Sequence, residues 1–575
     1  MNDVLLLSDD KTTVLSVNDY YVESVNDYYY VESVIIPDGV TKIGNYAFSE
    51  CSSLKSIDIP NGVREIGNNA FFYCSSLKSI NIPDSVTEIG DSTFSGCSSL
   101  KSVDIPDSVT KIGDSAFSEC SSLKSIDIPN SVTEIEGRAF MGCESLESID
   151  ITDSVTEIGK NAFYGCKSLK SINVAENNSK YKSIDGVLYN NELTSIICFP
   201  IKHNNTTYTI PNSVTEIGKD AFYGCSSLES IDIPNSVTKI GEGAFSGCSS
   251  LESIDIPDSV TVIDMWAFSG CSSLESIDIP DSVTKIGEKA FSGCSSLKSI
   301  DIPNSVTEIG KNAFYGCSSL ESIEIPNSVT EIGKEAFSGC SSLESIEIPD
   351  SVTKIGERVF SGCSSLESID IPNSVTEIGD AAFIGCSSLK NIGIPDSVTV
   401  IHICAFSGCS SLKSIDIPDS VTEIEGRAFM GCESLKSINV TENNSKYKSI
   451  EGILYDKKLT SIIRCPMNHN GVVFIIPNRV MKIGDFALYK CKSLETIDIP
   501  DSVTYIGNDA FRDCCALKNI IIRRKNIEDV VVKEDAFIGV DFNECILHIP
   551  SGTRWSYRHH PIFGKFKNIV TERFD

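Results

Sequence analysis

Positive charge is scarce in this sequence: its 575 residues carry 48 Lys and Arg against 79 Asp and Glu, a formal net charge of −31. A chain this acidic is repelled by phosphate backbones, so nucleic acid is excluded as a partner. Long apolar runs are missing too. None approaches the ~18 residues that a membrane-crossing helix needs, and no membrane span is expected. The opening residues, Met1 to Asp10, lack the basic start and apolar stretch of a signal peptide, so cytoplasmic residence is not excluded. Histidine occurs six times, at His203, His402, His469, His548, His559 and His560, without HExxH spacing. The pair His559-His560 beside Arg558 is expected to be a solvated part of the C-terminal end. The chain is nevertheless 41% hydrophobic, enough to fold.

What is present repeats. Eighteen cysteines form one series, at Cys51, Cys74, Cys97, Cys120, Cys143 and Cys166, every 23rd position from Cys225 to Cys432, then Cys491 and Cys514. Two steps of 59 interrupt the 23-residue period. Both long segments share a motif, Tyr181-Lys-Ser-Ile-Asp-Gly-Val-Leu-Tyr189 and Tyr447-Lys-Ser-Ile-Glu-Gly-Ile-Leu-Tyr455, and so constitute a second repeat type. A fixed short period overrides the prior of three or four globular domains that length alone suggests.

The ordinary unit from Leu320 to Cys340 has apolar residues at Leu320, Ile323, Ile325, Val329, Ile332, Ala336, Phe337 and Cys340. Alternation at Ile323 and Ile325 predicts a short strand, ended by Pro326, which has no N–H to donate. Asn327-Ser328 turns the chain, and Val329 to Ile332 is a second extended piece. Gly333 to Gly339 is expected to be about one helical turn closed by glycine. One such unit cannot bury its own apolar side, but stacked units share a continuous column, which predicts a solenoid.

The pattern Leu-x-x-Ile-x-Ile-Pro-x-x-Val-x-x-Ile-Gly-x-x-Ala-Phe-x-x-Cys-x-x-Leu resembles the Treponema pallidum-type leucine-rich repeat of BspA-like surface proteins, from about Val34 to Ile520. The resemblance implies a β-rich repeat solenoid with short helical turns: a curved, right-handed leucine-rich-repeat superhelix with one parallel concave sheet. A parallel β-helix with three sheets is the alternative. The expected organisation is an N-terminal cap or Tyr-rich segment over 1–33, the solenoid over 34–520 and a C-terminal repeat and cap over 521–575. Longer interrupting turns near 174–210 and 440–476 are similar to hairpin-like turns of that family. The stretch from Cys545 to Thr553 and on through Phe566 to Ile569 resembles the C-terminal cap of its Bacteroidetes members.

If Leu and Ile of each strand point inward, the intervening residues face solvent. Counted from each series cysteine, the residue four later is Lys or Glu, five later nearly always Ser, and seven later mostly Asp. Lysines such as Lys55, Lys101, Lys390 and Lys436 accompany the first and last acids, whereas the middle carries two acidic columns. A basic or cation-bridged partner is therefore expected at Glu252, Asp255, Glu275, Asp278, Glu321, Glu324, Glu344, Glu347, Glu367 and Asp370. These columns hold almost no aromatic anchors, so binding would be spread over many rungs and salt-sensitive. The alternative is a solvated face copied along with the repeat.

No catalytic residues, metal site or cofactor are expected. The series cysteines lack the paired spacing of zinc ligands and are expected to be buried free thiols, with Cys198, Cys404, Cys465, Cys515 and Cys545 outside the series. Ser and Asp recur in nearly every unit, and nothing singles out one copy as a nucleophile. Divalent cations could bind the acidic columns weakly, though no EF-hand loop is present. The near-duplicate Ser16 to Glu32, with Tyr20, Tyr21, Tyr28, Tyr29 and Tyr30, is expected to be extended and to cap the first turn or contact another protein. The resemblance implies a non-enzymatic, adhesin-like scaffold, cell-surface or secreted, whose protein partners are host extracellular or other surface proteins. The second reading is an intracellular structural or assembly scaffold.

Overall fold

The computed structural model describes residues 5–17 and 31–574. Its chain divides into two units, Met1–Ser295 and Ser296–Asp575. Each is a parallel solenoid with almost no helix, and neighbouring rungs pair with an offset of 23 residues. In the second unit Ser322, Ile323 and Glu324 lie opposite Ser345, Ile346 and Glu347. In the first, Ser79, Ile80 and Asn81 lie opposite Ser102, Val103 and Asp104. The Glu-Ile pieces form a second parallel ladder, as where Glu308 and Ile309 pair with Glu331 and Ile332.

The third side of the rung corrects one expectation. Gly333 to Gly339 is not a helical turn but a string of turns with two left-handed residues, Glu335 at φ 58° and Gly339 at φ 78°. Left-handed residues alternate the direction of the N–H groups. Ala336 donates locally to the Gly333 carbonyl at 3.2 Å, while Glu335, Phe337 and Gly339 donate to Glu357, Val359 and Ser361 of the next rung at 3.0, 3.0 and 2.7 Å. Alternate backbone donors of this segment thus go to the neighbouring rung, which a helix would have kept to itself.

The column inside each unit contains the expected residues. Leu320, Ile323, Ile325, Val329, Ile332, Ala336, Phe337 and Cys340 are all buried. Phenylalanines stack along it: Phe48, Phe71, Phe94, Phe117, Phe140 and Phe163 in the first unit have successive centroids 5.2 to 6.0 Å apart. In the second unit the series from Phe314 to Phe429 repeats this at 5.4 to 5.9 Å. The hydroxyls between strands also serve the stack. Ser236, Ser328 and Ser374 donate to the carbonyls of Val214, Val306 and Val352 at 2.7, 2.6 and 2.6 Å.

Both long segments fold as antiparallel hairpins. Tyr181–Ile184 pairs with Val187–Asn190, which pairs with Ser195–Cys198, and that strand rejoins the parallel ladder at Glu216–Ile217. The turn needs two consecutive positive φ angles, met by Asp185 at 50° and Gly186 at 81°. Asn178 anchors the entry, donating to Thr152 and Val155 carbonyls and accepting from Lys180 and Tyr181 N–H groups. In the second unit Asn444, Glu451 and Gly452 reproduce both devices.

At the ends, Leu5–Leu7 and Thr13–Val17 form a hairpin that pairs with Lys42–Ile43, and Ile546–Pro550 and Asn568–Glu572 extend the parallel ladder around the short helix Arg554–His559. The tyrosines of the N-terminal near-duplicate lie outside the described residues.

Candidate acidic binding surface

The strand Ser-Ile-Asp or Ser-Ile-Glu places its isoleucine in the column and its polar residues in solvent, because successive side chains alternate across a sheet. All ten expected site residues are exposed. They fall into two groups. Glu252, Asp255, Glu275 and Asp278 belong to the first unit, and Glu321, Glu324, Glu344, Glu347, Glu367 and Asp370 to the second.

Within each group the register sets carboxylates side by side. Asp255 lies opposite Asp278, Glu324 opposite Glu347, and Glu347 opposite Asp370. Neighbouring rungs of a parallel sheet are ~4.8 Å apart, so like charges there repel by on the order of 1 kcal/mol per pair in water. Elsewhere the strain is relieved internally. Lys55 reaches Glu32 at 2.6 Å, Lys170 reaches Glu147 at 2.7 Å, Asn173 donates to Asp150 at 2.8 Å, and Arg523 clamps Asp498 with two bonds of 2.8 and 2.7 Å. Glu367 is likewise paired, with Lys390 at 2.7 Å. Among the described residues, Glu252, Asp255, Asp278, Glu321, Glu324, Glu344, Glu347 and Asp370 form no ion pair.

In the second unit three rungs border a shallow polar cavity of about 310 Å³, lined by Asp301, Asn304, Glu324, Asn327 and Glu347 with Pro326 and Pro349 at its edge. Asp301 is the one carboxylate there outside the ten, although it stands in the same column of the sequence. The geometry offers a row of oxygen acceptors to a cation or to successive basic side chains.

A second group was not legible beforehand. Asp380, His402 and Glu425 bring one ligand atom each to within 4.8 Å, with His402 Nδ1 at 3.9 Å from Asp380 and 3.4 Å from Glu425. These residues are 22 and 23 apart in sequence, so only the rung offset joins them. The thiols are all free. Burial pushes Cys97, Cys143, Cys271 and Cys340 up to about 12, which makes them neutral fillers rather than nucleophiles.

The model of the BspA type leucine-rich repeat region matches in six copies, over residues 24–144, 87–202, 195–295, 267–390, 330–460 and 465–539. The chain belongs to this family. The BspA-type repeat is a protein scaffold, and the likeness inferred from the 23-residue pattern holds. Among solved structures, a leucine rich cell surface protein from Faecalibacterium prausnitzii is 34% identical, with 60% of this chain and 92% of that one covered and a TM-score of 0.45. A leucine-rich repeat protein from Bacteroides ovatus is 32% identical over 76% of this chain and 93% of its own, with a TM-score of 0.39. A T. pallidum leucine-rich repeat protein is 29% identical over 38% and 90%, with a TM-score of 0.27. No curated protein matches the chain. Among the described residues no helix is long and apolar enough to cross a membrane.

Proposed function

We propose that this BspA-type repeat protein is a non-enzymatic, adhesin-like scaffold at the cell surface that holds basic segments of protein partners against its acidic rungs. Host extracellular proteins or other surface proteins are the partners this reading assigns. The observation that carries it is the row of exposed carboxylates, Glu321, Glu324, Glu344 and Glu347 above all, that form no ion pair among the described residues while rungs elsewhere neutralise their own charge. The surface location follows the family likeness. A non-enzymatic role is supported by hydroxyls spent on bonds between rungs and by thiols held neutral in the column. Affinity gathers from many weak contacts, with divalent cations as minor competitors.

An octalysine peptide tests the surface. Reversing Glu321, Glu344 and Glu347 to Lys weakens its binding about tenfold or more by calorimetry at about 50 mM salt, and salt near 300 mM weakens the wild type likewise. The same reversal of Glu331, Glu377 and Glu423 on the other ladder leaves it nearly unchanged. Binding indifferent to salt or to the first triple substitution overturns the proposal. A second reading, an intracellular assembly scaffold, is favoured by the 23 free thiols, which suit a reducing compartment. A non-permeant label on intact cells separates the two.

A further inference from the structure

The two hairpins are copies offset by 266 residues, yet they close differently. Cys198 in the first corresponds to Arg464 in the second, Asn161 to Arg427, and Asp220 to Phe486. In the second copy Arg464 is buried, and its guanidinium donates to the Phe486 carbonyl at 2.6 Å and the Phe429 carbonyl at 3.5 Å and lies over the ring of Tyr489. No ion pair with a carboxylate holds it among the described residues.

The Phe429 contact has a structural cause. Along the ordinary rungs each phenylalanine carbonyl accepts the thiol of the cysteine 26 residues later, as Cys432 does to Phe406 at 3.2 Å. The hairpins break this rule: the residues 26 after Phe163 and Phe429 are Tyr189 and Tyr455. In the second copy the Arg464 guanidinium takes the place of the missing thiol.

In the first copy the short Cys198 side chain cannot. A cavity of about 320 Å³ lies there instead, lined among others by Phe163, Tyr164, Cys198, Asp220 and Tyr223. Three of these, Phe163, Asp220 and Tyr223, are the counterparts of the residues that Arg464 touches. Tyr164 and Tyr223 stack at 4.0 Å along the wall, and Asp220 supplies a half-buried carboxylate where the second copy has phenylalanine. The neighbouring cation Lys219 is already paired with Glu242 at 2.8 Å.

We propose that this cavity is a binding site for a guanidinium group from outside the chain, either a small guanidine or the tip of an arginine side chain. The guanidinium sits as Arg464 does, donating to the carbonyls of Phe163 and Asp220, with the Asp220 carboxylate supplying the charge that the second copy does without. This site is independent of the acidic rungs. Burial holds the Asp220 carboxyl above its usual range, and a bound cation brings it down.

Methylguanidine is the probe, observed by saturation-transfer NMR, with urea as the neutral counterpart of similar shape. Wild type binds one methylguanidine saturably and does not saturate with urea. Cys198→Arg fills the cavity and weakens binding at least tenfold. If Cys198→Arg fails to fold, Asp220→Phe, which recreates the second copy's wall, gives the same loss. Equal binding of the peptide Gly-Arg-Gly assigns the site to arginine side chains, and binding of methylguanidine alone assigns it to small guanidines. Either result supports the proposal. Absence of saturable binding to wild type, or unchanged binding in folded Cys198→Arg or Asp220→Phe, overturns it.

Discussion

The thiol of Cys97 donates to the carbonyl oxygen of Phe71 at 3.2 Å, and the same bond links Cys340 to Phe314 and Cys409 to Phe383 at 3.2 and 3.3 Å. A neutral thiol is thus part of the ladder, and an unfolded thiol titrates near pH 8.5.

Stability should fall steeply in alkali. A thiol pushed up to about 12 by burial keeps its proton in the folded state, whereas the unfolded chain loses it. The stabilisation is complete below the unfolded pKa and is lost as pH rises above it, at about 1.4 kcal/mol per pH unit for each such cysteine. Urea midpoints measured between pH 8 and 10 under reducing conditions will show this, and a flat profile contradicts it.

Thiol reagents should distinguish the cysteines. Cys515 is exposed, and Cys51, Cys198 and Cys404 are half-buried, while the other nineteen are buried. A chromogenic disulfide reagent at neutral pH labels Cys515 first and the buried thiols only after denaturant is added. Mass mapping of the labelled peptides gives the order.

Removing one ring from the stack should open a void. Phe337 is fully buried between Phe314 at 5.4 Å and Phe360 at 5.8 Å. Phe337→Ala costs about 3–5 kcal/mol, and Phe337→Leu costs less. Because each rung contacts only its neighbours, hydrogen exchange accelerates around the substitution before it does at the far ends of the unit.

The turn face carries a strain that glycine relieves. Ser92 is held at φ 51° and its side chain is half-buried. Ser92→Gly raises stability by about 0.5–1 kcal/mol, the left-handed penalty less the extra unfolded-state entropy, and Ser92→Val lowers it by about 1 kcal/mol or more. Chemical denaturation of the pair must show opposite signs.

The 23-residue period, the inward column of Leu, Ile, Val, Phe and Cys and the outward files of Ser and Asp were all legible in the sequence. Side-chain alternation in a strand is local, and a repeat that cannot bury itself alone must stack in register. The Gly333 to Gly339 segment was not legible as turns, because alternate donors find acceptors 22 residues away and leave no local period. The rung offset made the pairing of acids legible as well: Lys390 stands 23 residues after Glu367 and reaches it, whereas Glu344 has Glu321 and Glu367 at the equivalent positions of its neighbouring rungs. Only the tertiary structure showed what the difference between the two hairpins does. Whether the space beneath Cys198 closes or remains a cavity depends on how far a side chain reaches into packed neighbours. A near-identical motif therefore yields a sealed site around Arg464 and an open one beside Asp220.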